Sequence, residues 1–172
     1  MSLISFIKEA GEKLFNLGKP DAVAAAAPAD LAALNQKAAQ AILGYIKTQH
    51  LDAENLAVAY DGASLTVTVS GTAVDQATRE KIVLCCGNVG SVEKVNDQMT
   101  VNIASEASRF YTVKSGDTLS KISKDMYGDA NKYIAIFEAN KPMLKDPDRI
   151  YPGQNLRIPL SLSRLASPSF FP

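Results

Sequence analysis

A glycine-rich turn at residues 87–92, with the sequence GNVGSV, is the segment of this chain best suited to binding an ion. It follows a predicted helix, and the last turn of a helix leaves carbonyl groups unpaired and carries partial negative charge. Gly87 and Gly90 allow the backbone to curl, so that several carbonyl groups can converge. Neutral carbonyls suit a large, weakly hydrated monovalent cation, whereas calcium normally requires carboxylates that this turn lacks. The alternative is an ordinary helix C-cap at Gly87.

Catalytic side chains have little support in this sequence. His50 is the only histidine, and it lies near a predicted helix end, where its charge suits the helix dipole. Asp146 and Asp148 lie in a proline-containing loop, which favours solvated carboxylates over an acid–base pair. Cys85 and Cys86 are adjacent, and neighbouring cysteines rarely adopt disulfide geometry. The chain has no further cysteine to complete a metal site with them. We therefore expect both in the core face of a helix, which fits a reducing compartment. We predict that the protein is not an enzyme.

The composition excludes some classes of partner. The 18 Lys and Arg residues balance 18 Asp and Glu residues, so the chain lacks the basic excess that a non-specific nucleic-acid binder requires. The N-terminus, MSLISFIKEAGEKLFNLGK, lacks the features of a secretory signal, and no apolar run is long enough to cross a bilayer. No lipidation cysteine lies near the start. We therefore expect a cytoplasmic protein without a nucleic-acid or membrane partner.

The pattern of apolar residues predicts an α+β protein with two small modules. An amphipathic segment at residues 1–17 and a linker at 18–29 precede the first module, which is predicted at 30–103. A short linker at 104–109 leads to the second module at 110–159, and a tail follows at 160–172. The first segment has helical periodicity, which Gly11 weakens at its centre. The linker is rich in alanine and proline, which is typical of a flexible connector.

The first module is predicted as helix, strand, strand, helix, strand. Asp30 is expected to cap the first helix, and Asp61-Gly62 has the chemistry of a hairpin turn. Thr72 is expected to cap the second helix, which ends at Gly87. The expected buried positions of that helix are Val74, Ala77, Ile82 and Cys85. With its strand end VTVSG and the segment GNVGSVEKV, this module resembles a BON domain.

The second module contains three sequence blocks in order, YTVKSGDTL at 111–119, IFEAN at 136–140 and IYPGQNLRIP at 150–159. Together they resemble a LysM domain, and the resemblance implies strand, helix, helix, strand. Ser115 or Asp117 is expected to cap the first of these helices.

LysM domains bind polymers of N-acetylglucosamine, and the resemblance implies where a sugar groove would lie. The implied groove residues are Gly116, Asp117, Thr118 and Leu119 on one side and Asn140, Met143, Ile150 and Tyr151 on the other. Turn, capping and packing roles are the favoured alternative for these residues.

The whole chain resembles the family of bacterial cytoplasmic potassium-binding proteins. The resemblance covers about residues 1–159 and rests on SFIKEAGEKLF, the BON-like module, and the LysM segments FEANKPML and YPGQNLRIP. The alanine-rich linker and the C-terminal tail depart from it. It implies that main-chain carbonyls hold potassium, and the matching positions are Ile7, Ala10, Glu12, Gly87, Val89 and Val92. For Ile7 and Ala10, the alternative is a place on the apolar face of an amphipathic helix.

This family resemblance predicts selective potassium binding, with rubidium and caesium as further candidate ions. It also suggests a sensor whose two modules rearrange on binding and present a surface to an unknown protein partner. Two alternatives stay open: a peptidoglycan-binding or N-acetylglucosamine-binding accessory protein, and a structural adaptor built from BON and LysM.

Overall fold

The computed structural model describes residues 28–90 and 92–160 of this 172-residue chain. They divide into two compact units, with the boundary between Ile103 and Ala104, and both units mix helices with a small sheet. The predicted α+β class and the predicted order of elements are confirmed. Within the described residues, no helix combines the length and apolar character that a membrane crossing requires.

In the first unit, the described residues form two helices packed on a three-stranded sheet. Its elements are α1 (Pro28–Thr48), β1 (Glu54–Asp61), β2 (Thr66–Asp75), α2 (Gln76–Gly87) and β3 (Lys94–Ile103). The sheet order is β1-β2-β3. Strands β1 and β2 form an antiparallel hairpin, whereas β2 and β3 are parallel. A parallel pair requires a crossover connection, and α2 with the turn that follows it provides that connection.

The core of this unit lies between the helices and one face of the sheet. Helix α1 packs on β1, and α2 packs on β2 and β3. Alternate β2 side chains face this core because successive residues of a strand point to opposite faces. The most deeply buried members of the core are Ile42, Ile46, Val67, Val69, Ala73, Ile82, Cys85 and Cys86.

Both predicted helix starts in this unit are wrong by a few residues. Helix α1 begins at Pro28, so Asp30 lies inside it. Thr72 belongs to β2, and the N-cap of α2 is Asp75. The Asp75 backbone is extended, and its Oδ1 accepts a hydrogen bond from the Thr78 amide at 2.7 Å. The sheet therefore continues further than the capping-box pattern suggested, because β2 pairs with β3 as far as Asp75.

Val74 was expected in the helix core, and this expectation is also wrong. It lies in β2 and is 55% exposed, since it points away from the helices. Ala77, the next expected core residue, is half-buried, whereas Ile82 and Cys85 are fully buried as expected.

In the second unit, residues 104–160 form two α-helices, a short 3-10 helix and a two-stranded antiparallel sheet. Its elements are β4 (Arg109–Thr112), α3 (Leu119–Tyr127), a 3-10 helix (Ala130–Lys132), α4 (Tyr133–Ala139) and β5 (Asn155–Ile158). Its buried core consists of Val113, Leu119, Ile122, Ile136, Leu144, Leu156 and Ile158. The cap of α3 is Thr118, whose side chain accepts from the Lys121 amide at 3.2 Å, so the expectation of Ser115 or Asp117 is wrong.

Candidate functional site

The glycine-rich turn begins directly at the end of α2. Gly87 is the last helical residue, and the cap is Asn88, whose amide donates to the Leu84 carbonyl at 3.0 Å. The predicted end of this helix at Gly87 is confirmed, but the capping residue is Asn88 and not Gly87. In a trans peptide the carbonyl and the amide hydrogen point in opposite directions. Because the Asn88 amide points back into the helix, the Gly87 carbonyl points out of its C-terminal end.

The turn contains all three carbonyl positions predicted for this part of the chain. Gly87, Val89 and Val92 lie within one turn, in which the Val89 carbonyl accepts the Val92 amide at 2.9 Å. That carbonyl keeps a second lone pair. Among the residues that the structure describes, no amide donates to the Gly87 carbonyl. The Val89 side chain is buried and anchors the turn, so its carbonyl is the group left to contact a ligand.

The exit of the turn is attached to the β1–β2 loop. The Leu65 carbonyl accepts hydrogen bonds from the Glu93 amide at 2.9 Å and the Lys94 amide at 3.3 Å. Leu65 adopts the left-handed conformation, with φ of 49°. Sequence reasoning missed this residue. The Asp61-Gly62 signal indicates a turn nearby, but no sequence signal connects Leu65 to Glu93, which lies 28 positions later.

The two cysteines at the end of α2 carry no charge near neutral pH. Burial raises the pKa of the Cys86 thiol to about 12, with a further contribution from the charge of Asp97. Burial raises the pKa of Cys85 still further, so neither thiol is a thiolate ligand near neutral pH. In the described part of the chain, no group of three or more His, Cys, Asp or Glu could hold a metal ion. The groups that could bind a cation at the turn are neutral carbonyl oxygens at a partially negative helix end.

The other three predicted carbonyl positions, Ile7, Ala10 and Glu12, lie outside the described residues. The structure therefore describes the part of the predicted cation site that belongs to the α2–β3 turn.

Two of the residues predicted for a sugar groove are buried. Leu119 is 2% exposed and belongs to the core of the second unit. Asn140 is also 2% exposed, and its amide nitrogen donates to the carbonyls of Ile136 at 2.7 Å and Arg157 at 2.8 Å. Its oxygen accepts the Arg157 amide at 2.8 Å. Asn140 therefore connects α4 to β5 and offers no free polar atom to a ligand.

The residues before α3 have turn and capping contacts. Gly116 is exposed with φ of 81°, a conformation that glycine adopts without strain. Asp117 accepts hydrogen bonds from the Lys114 amide and the Tyr111 hydroxyl, both at 2.8 Å. These two contacts, the amide first, hold the pKa of Asp117 below its usual value. Thr118 caps the helix, so the polar groups of this segment are largely engaged.

The remaining groove residues follow α4 or precede β5. Ile150 packs against the core, and burial raises the pKa of the Tyr151 hydroxyl. Met143 is half-buried in the segment after α4. The Val113 amide donates to the Gln154 carbonyl at 2.8 Å, and the Gly153 amide donates to the Val113 carbonyl at 2.8 Å. The loops after β4 and before β5 are therefore neighbours, with Gly116 and Thr118 exposed on one of them.

Comparisons with known proteins identify both units. A BON domain model matches residues 31–103, and a LysM domain model matches residues 111–159. The chain is 48% identical over 159 residues to the potassium binding protein Kbp of Escherichia coli O6:H1 (strain CFT073). That alignment covers 92% of this chain and 99% of the E. coli protein.

Two further relatives match only part of this chain. It is 38% identical over 107 residues to an uncharacterized protein of Deinococcus radiodurans, covering 62% of this chain and 34% of that protein. It is 42% identical over 62 residues to the uncharacterized protein YqbP of Bacillus subtilis strain 168, covering 31% of this chain and 28% of that protein.

Proposed function

Since this chain belongs to the family of BON–LysM proteins that includes the E. coli potassium binding protein, we propose that it binds potassium. The observation that carries the proposal is the turn after α2, where the Gly87 carbonyl points out of the helix C-terminus and the Val89 carbonyl keeps a spare lone pair. Potassium is weakly hydrated and exchanges its water for carbonyl oxygens readily. The protein acts by binding and does not require catalytic side chains.

The proposed ligands are main-chain carbonyls of Gly87, Val89 and Val92, completed by carbonyls of the N-terminal segment. The outward direction of the Gly87 carbonyl and the spare lone pair of the Val89 carbonyl support the first part of this set. The N-terminal contributors are proposed from the family resemblance, at Ile7 and its neighbours. Since the ligands belong to the backbone, the site is sensitive to backbone conformation and tolerant of side-chain changes.

Thermal unfolding at constant ionic strength tests selective binding. Midpoints are measured in chlorides of potassium, rubidium, sodium and lithium. A ligand that binds only the folded state stabilises it by about 2.7 kcal/mol at a hundredfold excess over its dissociation constant. We expect the midpoint to rise in potassium and rubidium and to stay low in sodium and lithium. Equal midpoints in all four salts would exclude selective potassium binding.

Carbonyl carbon NMR tests which atoms bind the ion. On titration with potassium, the carbonyl shifts of Gly87, Val89 and Val92 should change more than those of the second unit, with Leu156 as a control. Deletion of residues 1–13 should abolish the ion-selective rise in midpoint. Retention of the full rise in the deleted protein would show that the N-terminal carbonyls are not ligands.

We also propose that potassium occupancy is a signal. Binding would stabilise one arrangement of the two units and so change the surface that a protein partner recognises. Small-angle scattering with potassium, compared with sodium at the same ionic strength, should then show a change in radius of gyration. We place the protein in the cytoplasm, and cell fractionation tests this: recovery with peptidoglycan or in the periplasm would contradict it.

Glycan binding is a second candidate, which the LysM match and the exposed loops around Gly116 favour. Its test is an NMR titration with N-acetylglucosamine oligomers. Amide shifts confined to the loops after β4 and before β5 would support a groove there. Since Leu119 and Asn140 are buried, direct contacts to these two side chains are not expected.

A further inference from the structure

The carbonyl of Leu65 determines the direction of the Val92 carbonyl. The Val92 carbonyl and the Glu93 amide belong to the same peptide plane, and in a trans peptide they point in opposite directions. The Glu93 amide donates to the Leu65 carbonyl at 2.9 Å. The Val92 carbonyl must therefore point away from the β1–β2 loop. One proposed ligand of the cation is thus oriented by Leu65, 27 positions earlier in the chain.

The backbone conformation of Leu65 is costly for a residue of this type. Its φ of 49° lies in the left-handed region, which residues other than glycine, asparagine and aspartate adopt rarely. Strain of this kind persists where the surrounding structure imposes it, and it is concentrated at ligand sites and switch regions. A right-handed or extended conformation would rotate the Leu65 carbonyl and lose its bonds to the turn.

The loop that contains Leu65 is held from two sides. Within the loop, Asp61 accepts the Ala63 amide at 3.1 Å and the Ser64 hydroxyl at 2.6 Å. From helix α1, the Asn35 side chain accepts the Gly62 amide at 3.0 Å. The space around Gly62 is also filled, since an added Cβ there would lie 2.9 Å from the Asn35 oxygen. These contacts make the loop a rigid support.

We infer that Leu65 is a positioning residue for the cation site and that its left-handed backbone controls the discrimination between potassium and smaller cations. The inference rests on the proposed potassium binding. A supported turn holds the Val92 carbonyl in one direction, whereas a released turn can rotate that carbonyl and adapt to a smaller cation such as sodium. Asn35 belongs to the same support, because it holds the loop against α1.

A pair of substitutions at Leu65 separates backbone conformation from side-chain packing. Leu65→Val keeps an apolar side chain, but its β-branch disfavours the left-handed region. Leu65→Asn removes the apolar side chain and favours that region. We expect Leu65→Val to weaken potassium affinity about fivefold, which corresponds to roughly 1 kcal/mol, and to lower the affinity ratio of potassium to sodium. Leu65→Asn should retain a higher potassium affinity and a higher affinity ratio of potassium to sodium than Leu65→Val.

The opposite order would overturn the inference. If Leu65→Asn binds potassium as weakly as Leu65→Val or more weakly, the half-buried side chain matters and the backbone conformation does not. Amide hydrogen exchange without potassium provides a readout that is independent of the ion. The Glu93 amide should exchange faster in Leu65→Val than in Leu65→Asn, and equal rates would also overturn the inference. Absence of any selective potassium effect in the unmodified protein would instead reject the proposed function itself.

A second set of variants tests the support from α1 if Leu65→Val fails to fold. Asn35→Ala removes the acceptor for the Gly62 amide, whereas Asn35→Asp retains an acceptor oxygen. Gln36→Ala is the matched control, because Gln36 is an exposed neighbour on the same helix. We expect the potassium-to-sodium ratio to fall in Asn35→Ala and to recover in Asn35→Asp. Equal ratios in all three variants would show that α1 does not support the turn.

Discussion

Replacement of Asn140 by alanine should destabilise the second unit without affecting the first. Asn140 is buried, and its side chain makes three hydrogen bonds that connect α4 to β5. A hydrogen bond contributes about 0.5–1.5 kcal/mol net, and a buried group left without a partner costs about 1–3 kcal/mol. The Arg157 amide would lose the acceptor that Asn140 provides. We expect a loss of about 3 kcal/mol in the free energy of unfolding.

This loss is large for a unit of this size. A unit of roughly 50 residues is stabilised by only about 3–8 kcal/mol, so the variant should unfold at much lower urea concentration. The assay is urea unfolding of the full chain followed by amide NMR signals. Signals from Leu156 and its neighbours in β5 should disappear at lower urea, whereas signals from the first unit, such as that of Val69, should keep their midpoint.

Asn131→Ala is the matched control for this prediction. Asn131 is exposed, and its bond to Asp129 uses the backbone amide, which alanine retains. The control should change the free energy of unfolding by less than about 0.5 kcal/mol. A loss below about 1 kcal/mol in Asn140→Ala, or a loss equal to that of the control, would refute the bridging role of Asn140.

Three further predictions concern a close backbone contact, a helix cap and an ionised carboxyl. Gly71→Ala should lower the free energy of unfolding by more than about 2 kcal/mol, because φ is 134° and the added Cβ would lie 2.9 Å from a β1 carbonyl. Its control is Gly44→Ala in α1, where the added Cβ meets no atom within 4 Å. This control should raise the free energy of unfolding by about 0.5–1 kcal/mol. Asp75→Ala should cost about 1 kcal/mol by removing the α2 cap. The Lys114 amide and a tyrosine hydroxyl lower the pKa of Asp117 in the folded state, so the ionised carboxylate stabilises the fold. This stabilisation is complete above the usual carboxyl pKa and disappears as pH falls through the lowered value. Asp117→Asn should therefore reduce stability most above the usual carboxyl pKa.

Denaturant and pH titrations check these three predictions. Equal unfolding midpoints for the two glycine variants would contradict the close approach at Gly71. For the cap, Thr72→Ala is the comparison, and a greater loss there than in Asp75→Ala would restore the capping box that the sequence suggested. For the carboxyl, the difference between Asp117→Asn and the unmodified protein should shrink from pH 6 to pH 2. A difference that stays constant over this range would contradict the ionised role of Asp117.

The element order was predictable because it depends on local patterns. Apolar periodicity, the Asp61-Gly62 turn and the three LysM blocks are short-range signals, and the structure has helices and strands where they indicated. Helix starts were less predictable. Thr72 and Asp75 both have side chains that can cap a helix, and the pairing of β2 with β3 decides between them. That pairing joins residues far apart in sequence.

The residues predicted for the sugar groove show that local patterns also fail to predict the direction of side chains. A motif places Asn140 correctly after a helix, but it does not show which way the amide points. In the structure the amide points into the unit and bonds to β5, so a residue that could have contacted a sugar has a structural role. Burial depends on packing between elements, and a local pattern does not contain that information.

The sequence by itself determined the α+β class, the two modules and the turn GNVGSV after α2, because periodicity, turn chemistry and motif spacing act over a few residues. It could not determine how that turn is oriented. Only the tertiary structure decided that the Leu65 carbonyl binds the Glu93 amide and so directs the Val92 carbonyl. A carbonyl ligand has no side-chain signature, since every residue carries one. Its direction depends on the peptide plane, and a contact from a distant loop determines that plane.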